Sequence, residues 1–188
     1  MQRWPRLYHL LRHHSQGYVR KVASIFTKAE ILAALQIDID TPKWAQKKAA
    51  VALAYCGGLR CAELKSIKKG DVSHDADGIW VQYNQAKQRG EQKVNKFLVP
   101  FDRVKPALCF GTRVQRYMDM LEQSIPNLAP EDFLFQTPLK NRFKKQNMGR
   151  TSLSDVGKDV AKELNLPEPN TYTGMYICTH AIVYSYTK

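Results

Sequence analysis

The chain has 188 residues, with 29 Lys or Arg against 17 Asp or Glu, a net charge of +12. That length supports one ordinary globular domain with a short appendage; no run of about 18 apolar residues offers a membrane span, and the basic N-terminus lacks the apolar stretch of a secretory signal, so an intracellular protein is expected. Four cysteines, Cys56, Cys61, Cys109 and Cys178, form no C-x-x-C pair, which argues against a zinc site and a disulfide framework and for reduced, partly buried thiols.

In chain order, WPRLYHLLRHHSQGY (4 to 18) opens with Pro5 in a first turn and repeats Leu7, Leu10 and Leu11 at helical spacing, the pattern of a helix closed near Gly17. His9 and His13 would lie one turn apart, with His14 beside them, but no carboxylate or cysteine accompanies them, so a solvated basic face is the better reading than a metal site. Residues 1 to 28 carry Arg3, Arg6, Arg12, Arg20, Lys21 and Lys28 without one acid. Thr27-Lys28-Ala29-Glu30 is a capping box, predicting a helix over 28–36. The alanine-rich run WAQKKAAVALAYC predicts a helix over 43–56 that stops at Gly57-Gly58, followed by a short helix over 60–68.

Beyond Gly70-Asp71 the period changes. GIWVQY (78 to 83) and VNKFLVP (94 to 100) read as the two strands of a β-hairpin with a long polar tip. Leu108 to Gln123 is helical again, with Val114, Tyr117, Met118 and Leu121 on one face. PEDFLF (130 to 135) reads as a short extended piece. The stretch from Lys140 to Arg150 holds Lys140, Arg142, Lys144, Lys145 and Arg150 and no acid. Ser152 with Asp155 is expected to cap a helix bearing Leu153, Val156, Val160 and Leu164, ended by Pro167 and Pro169. With no internal repeat or low-complexity linker, the expected fold is α+β: a mainly helical domain with a small antiparallel hairpin or sheet. The tail TYTGMYICTHAIVYSYTK has no clear helical period and no acidic residue.

An excess of positive charge arranged in one-signed blocks favours a nucleic-acid face over charge serving solubility alone, because each cation set against a phosphate releases condensed counterions. Within CGGLRCAEL (56 to 64) one arginine is placed where a helix should begin. A cation there opposes the helix dipole unless an anion arrives. Two preceding glycines let the backbone turn sharply, and the planar guanidinium can donate two parallel hydrogen bonds to a phosphate. A structural salt bridge from Arg60 to Glu63, three residues on, is the equally weighted alternative.

The succession of FTKAEILAAL, AVALAYCGGLRCAELKSIKKGDV, a hairpin with lysine in its tip, and FLVP resembles the catalytic domain of the tyrosine recombinases, the phage-integrase type, nearest to those of eukaryotic mobile elements. The resemblance covers roughly residues 20 to 174. Its most specific piece is G-L-R-x-x-E-L followed by D-V. It implies a tyrosine-recombinase-like fold, DNA recombination and integration by a cofactor-free and metal-free reaction, and double-stranded DNA as partner, with a homo-oligomer assembled on it and no membrane association. In that reaction a tyrosine attacks a phosphodiester to give a 3′-phosphotyrosyl link, two arginines and a histidine hold the phosphate oxygens, and a hairpin lysine protonates the leaving 5′-oxygen. The chemistry needs preorganised cations because charge spreads over the phosphate oxygens as the covalent bond forms. By this resemblance Arg60 is the first arginine, Glu63 the acid that orients it, and Lys87 in QAKQRG the lysine, with Lys93 the second choice and a solvated loop cation the alternative for either. Arg60, Lys87, Lys140, Arg142, Lys144 and Lys145 form the expected DNA-binding set. The nucleus is the expected location in a eukaryote, the cytoplasm otherwise.

The likeness breaks off at Gly174. The family shows T-G-H-x-x-R where this chain has Thr173 and Gly174, then Met175 for the histidine and Cys178 for the second arginine; Tyr176, Tyr184 and Tyr186 follow too closely to be the nucleophile, and His180 is off the spacing. Gly174-Met175-Tyr176 is encodable by codons containing GTATGT, an intron-start sequence, as expected of a translation reading past an exon end. The expected organisation is thus 1–22 as the last helix and linker of an N-terminal DNA-clamping domain, 23–174 as an incomplete catalytic domain, and 175–188 as a divergent tail. Such a chain is expected to bind DNA without cleaving it; a domesticated DNA-binding module and a non-functional remnant are the alternatives.

Overall fold

A computed structural model describes residues 24–84, 94–167 and 169. The chain is an α+β protein in which helices surround one hydrophobic core and a three-stranded antiparallel sheet closes one side. The expected helix over 4–18 lies outside the described residues.

Helix α1 (Lys28–Gln36) starts at the expected capping box: the Thr27 amide donates to Glu30 Oε2 at 2.7 Å, and the Glu30 amide donates to the Thr27 hydroxyl at 3.3 Å. Its buried residues, Ile31, Ala34 and Leu35, follow the one-face spacing of a helix packed on a core. Helix α2 (Pro42–Gly57) begins at Thr41, whose hydroxyl accepts from the Trp44 amide at 3.4 Å. Every residue from Ala45 to Ala54 is buried. The alanines explain how one helix can be covered on so many sides, since small side chains let α4, the sheet and α6 approach closely.

Two lysines inside α2 are accommodated by partners. Lys47 Nζ lies 2.8 Å from Asp159 and 4.2 Å above the Trp44 ring, and burial pulls its pKa down against the opposing pull of Asp159. Lys48 donates to the carbonyls of Ile37, at 2.5 Å, and Ile39, at 3.4 Å.

The two glycines that end α2 have different reasons. Gly58 adopts the left-handed conformation, φ 59° and ψ 30°, and its amide caps Ala54 O, the common glycine exit from a helix. Gly57 is needed for space, because a Cβ there would meet the Phe97 ring at 2.7 Å. Helix α3 (Cys61–Ser66) follows at once and is shorter than its expected range. It stops at Ile67, which turns extended so that its carbonyl can accept from the Leu134 amide at 2.8 Å; a 3-10 turn over Lys69–Asp71 completes the link.

The sheet runs β1 (Val72–His74), β2 (Gly78–Asn84), β3 (Val94–Pro100), all antiparallel. The β2 and β3 strands fall where alternation predicts them, and Ile79, Val81 and Val99 turn inward while Trp80 and Lys96 share the outer face, 4.6 Å apart. Strand β1 was not expected: three residues with partly exposed side chains carry too little alternation to be read. Helix α4 (Phe110–Ser124) starts after a 3-10 turn at Pro106–Leu108, with Cys109 as its cap; the thiol sulfur accepts from the Thr112 amide at 3.3 Å. Its Val114, Tyr117 and Leu121 enter the core as the spacing requires.

The piece expected to be extended over 130–135 is instead a turn over 130–132, closed by the Asp132 amide donating to Ala129 O at 3.0 Å, followed by a single bridge of Phe133 with Lys68. It runs directly into a second, unexpected hairpin, β4 (Gln136–Pro138) with β5 (Phe143–Asn147). The helix expected from Ser152 begins earlier, at Arg150, because Met148 is buried and its amide donates to Phe135 O at 2.9 Å, which ends the strand at once. It also breaks at Asp155, giving α5 (Arg150–Ser154) and α6 (Val156–Glu163), so Ser152 is not a cap. Leu153, Val156 and Val160 are nonetheless buried.

Tyr117 joins these parts. Its hydroxyl donates to Leu134 O at 2.7 Å and receives the Gln136 amide at 3.4 Å; Gln46 of α2 donates to Gln136 O at 2.6 Å. The ring stacks on Phe135 at 5.6 Å and meets the edge of Phe143 at 5.3 Å. Tyr117→Phe keeps the ring and strips the hydroxyl, leaving a buried carbonyl without its donor. It should lower the unfolding free energy by about 1–3 kcal/mol in urea denaturation, and an unchanged midpoint would show that the phenol holds nothing.

Candidate nucleic-acid interface

Arg60 is the residue immediately before α3, in extended conformation at φ −78° and ψ 158°. Its position is set from both sides: the left-handed Gly58 and the Phe97-packed Gly57 end α2, and Leu59 and Leu64 bury themselves in the core. Glu63 then fixes it locally. The Arg60 amide donates to Glu63 Oε2 at 2.7 Å, and the guanidinium Nη1 stands 3.7 Å from Glu63 Oε1.

The two side chains of that pair differ in a way that matters. Glu63 is 6% exposed and Arg60 is 54% exposed. A buried carboxylate satisfied by the backbone amide holds the arginine by one loose contact, which does not use up the five N–H donors of the fork. The salt bridge and the anion site set against each other on sequence grounds are therefore compatible. Glu63 orients Arg60 and leaves its outward edge free for an anion.

Tyr83, near the end of β2, borders this pair. Burial pushes its phenol up, and the Glu63 carboxylate adds to that effect while Arg60 opposes it; the ring meets the edge of Phe97 at 5.8 Å. The chain leaves the described residues after Asn84, which pairs with Val94. Lys87 and Lys93 lie in the span between and outside the described residues, as do Thr173 to Lys188 with Met175, Tyr176, Cys178, His180, Tyr184 and Tyr186.

The basic run after Lys140 lies mainly on the β4–β5 hairpin. Phe143 points into the core against Tyr117, and Lys140, Arg142 and Lys144 are exposed without an ion pair among the described residues. Lys145 differs, since its ammonium lies 2.8 Å from Asp132. That hydrogen bond, with help from the Ala129 amide, holds the Asp132 carboxyl below its ordinary 3.8. Because the folded value is depressed, the stability that the charged carboxylate contributes is present above its ordinary value and is lost as pH falls through the lowered one. Lys145 is thus partly neutralised where the sequence alone counts it as a free cation.

Arg150 was grouped by sequence with the hairpin cations but belongs elsewhere. It opens α5, which packs on α3, and its carbonyl lies 4.0 Å from Cys61 Sγ, next to Arg60. Eighty-nine positions separate the two residues, and no local pattern announces a contact of that length. Comparison with known proteins brings no match, either to a protein-family model or to a curated relative.

If the hairpin meets a polyanion, its lysines should not be equivalent. Lys144→Ala should weaken duplex binding more than Lys145→Ala, and Asp132→Asn, which frees Lys145 and keeps an acceptor for Ala129, should strengthen it and steepen the salt slope by about one. Equal losses for the two lysines, measured by anisotropy over a salt series, would show that the ion pair does not decide which cation is available.

Proposed function

We propose that this chain is a DNA-binding protein of the tyrosine-recombinase type, which grips the duplex backbone through Arg60 and the β4–β5 hairpin and does not cleave it. The observation that carries the reading is Arg60 itself: a half-exposed arginine at a helix start, positioned by the buried Glu63 and beside Tyr83, within the G-L-R-x-x-E-L segment. The exposed Lys140, Arg142 and Lys144, and the net charge of +12, support a polyanionic partner.

In the reaction that the resemblance implies, Arg60 would hold a non-bridging phosphate oxygen, with its planar fork matched to two oxygens and Glu63 keeping it in register. Lys87, by the same resemblance, would supply the proton to the leaving 5′-oxygen. Where the family places a histidine and a second arginine, this chain has Met175 and Cys178. A thioether donates no hydrogen bond and a neutral thiol is a weak donor, so neither can carry the charge of a phosphate clamp. Binding through the phosphate backbone then survives, and strand transfer does not.

Two measurements test this. Incubation with a nicked suicide substrate should give no covalent protein–DNA adduct, and a single phosphotyrosyl product would overturn the inactive reading. Duplex affinity should fall with salt at a log–log slope of about −4, as expected for some four neutralised phosphates. Arg60→Ala should weaken binding about tenfold at fixed salt, as loss of a charged hydrogen bond implies. Lys28→Ala, on the exposed start of α1, should have little effect; equal effects, or salt-independent binding, would sink the proposal.

A further inference from the structure

We propose that the β4–β5 hairpin enters the major groove of B-form DNA, with Leu139 and Arg142 against base edges and Lys140 and Lys144 on the flanking phosphates. This rests on the reading of the chain as a duplex-binding protein, and it adds to that reading an element that touches bases and a preference for DNA over duplex RNA.

The hairpin has two unlike faces. Phe143 is 2% exposed and meets the Tyr117 ring, and Lys145 is tied to Asp132, so this side is fastened to the body of the protein. Met148, buried just past β5, adds its amide bond to Phe135 O. Side chains alternate along a strand, so Arg142 and Lys144 fall on the side opposite Phe143, and both are exposed. Lys144 pairs with Thr137. The Leu139 amide donates to Arg142 O at 2.8 Å, which closes the ribbon over a two-residue tip of Lys140 and Asn141. Leu139 thus stands across from Arg142 on the outward face. From Gln136 to Asn147 the ribbon contains no acid, so its charge suits a polyanion and no acidic groups of its own oppose entry.

The leucine decides the mode of contact. Leu139 is 41% exposed in a run of cations, and charged phosphates offer an apolar side chain no partner. A groove does: the thymine methyl projects into the major groove, where guanine N7 and O6 also accept an arginine fork. A ribbon with strands about 5 Å apart fits the major groove of B-form DNA, about 12 Å wide, and not the minor groove of about 6 Å. In A-form RNA the major groove is too deep and narrow for side chains to read.

The test measures affinity of the full chain by anisotropy at fixed salt for three fluorescent duplexes of one mixed sequence: unmodified DNA, the same DNA carrying glucosylated hydroxymethylcytosine, whose sugars fill the major groove, and RNA. The native chain should bind the glucosylated DNA and the RNA about tenfold more weakly than the unmodified DNA, as loss of one good base contact implies. Leu139→Ala removes no charge; it should weaken binding to unmodified DNA about fivefold and leave the salt slope unchanged. Arg142→Lys keeps the charge and loses the fork, and it should narrow the gap between the two DNA duplexes. Each variant is checked by thermal melt, and Leu139→Gln replaces Leu139→Ala if the latter does not fold.

Equal affinity of the native chain for unmodified and glucosylated DNA, equal affinity for DNA and RNA, or no loss for Leu139→Ala overturns the groove assignment and leaves the backbone-binding reading standing. No measurable binding to either DNA duplex defeats that reading itself.

Discussion

The burial of Tyr117 is the constraint on which the rest depends. Its phenol cannot be left unsatisfied in the core, and the available acceptor is the Leu134 carbonyl, 2.7 Å away. Gln46 repeats the logic from α2 by donating to Gln136 O. Two buried polar side chains from the central helices thus clamp one extended segment, and that segment carries the basic hairpin and α5 behind it. The carbonyl of Ile67, at the end of α3, receives the next link from Leu134, so the same few residues tie the Arg60 helix to the Arg150 helix.

Charge in this protein is sorted by what the core permits. Lys47 and Lys48 are drawn inside by the packing of α2, and each is matched to an acid or to carbonyls. Lys145 is spent on Asp132 at the surface. Arg60 is the intermediate case: its carboxylate partner is buried and its own head is half in water. That asymmetry is what makes it a candidate ligand, because a fully exposed ion pair would contribute little and a fully buried one would have no donors to spare. A net charge of +12 is therefore a poor count of available cations. The ones that matter are those that the fold leaves without an acid or, like Arg60, holds to one by a single loose contact.

Much of the local structure was legible beforehand, and for identifiable reasons. Thr27 and Glu30 announce a helix start by mutual capping, Gly58 announces a helix end, and the alternation of VNKFLVP defines β3 from Val94 to Pro100. The spacing of Glu63 from Arg60 offered a salt bridge within one helical turn, and the resemblance gave Glu63 the orienting role. What escaped was short or non-local. The three residues of β1 have too little pattern, the β4–β5 hairpin is so dense in cations that only its charge stands out, and α5 and α6 share a periodicity that hides the break at Asp155.

By itself, then, the sequence determined the α+β composition, the helix that ends in two glycines, and an arginine held by a glutamate three residues on, because all of these follow from interactions within a turn or a strand. Tertiary structure alone decided which cations remain free and which elements stand together. Lys145 meets Asp132, and Arg150 meets Cys61, across 89 positions, through burial of Leu64, Met148 and Leu153 in a common core. Apolar side chains choose the neighbours, and the charges beside them have to accept the company.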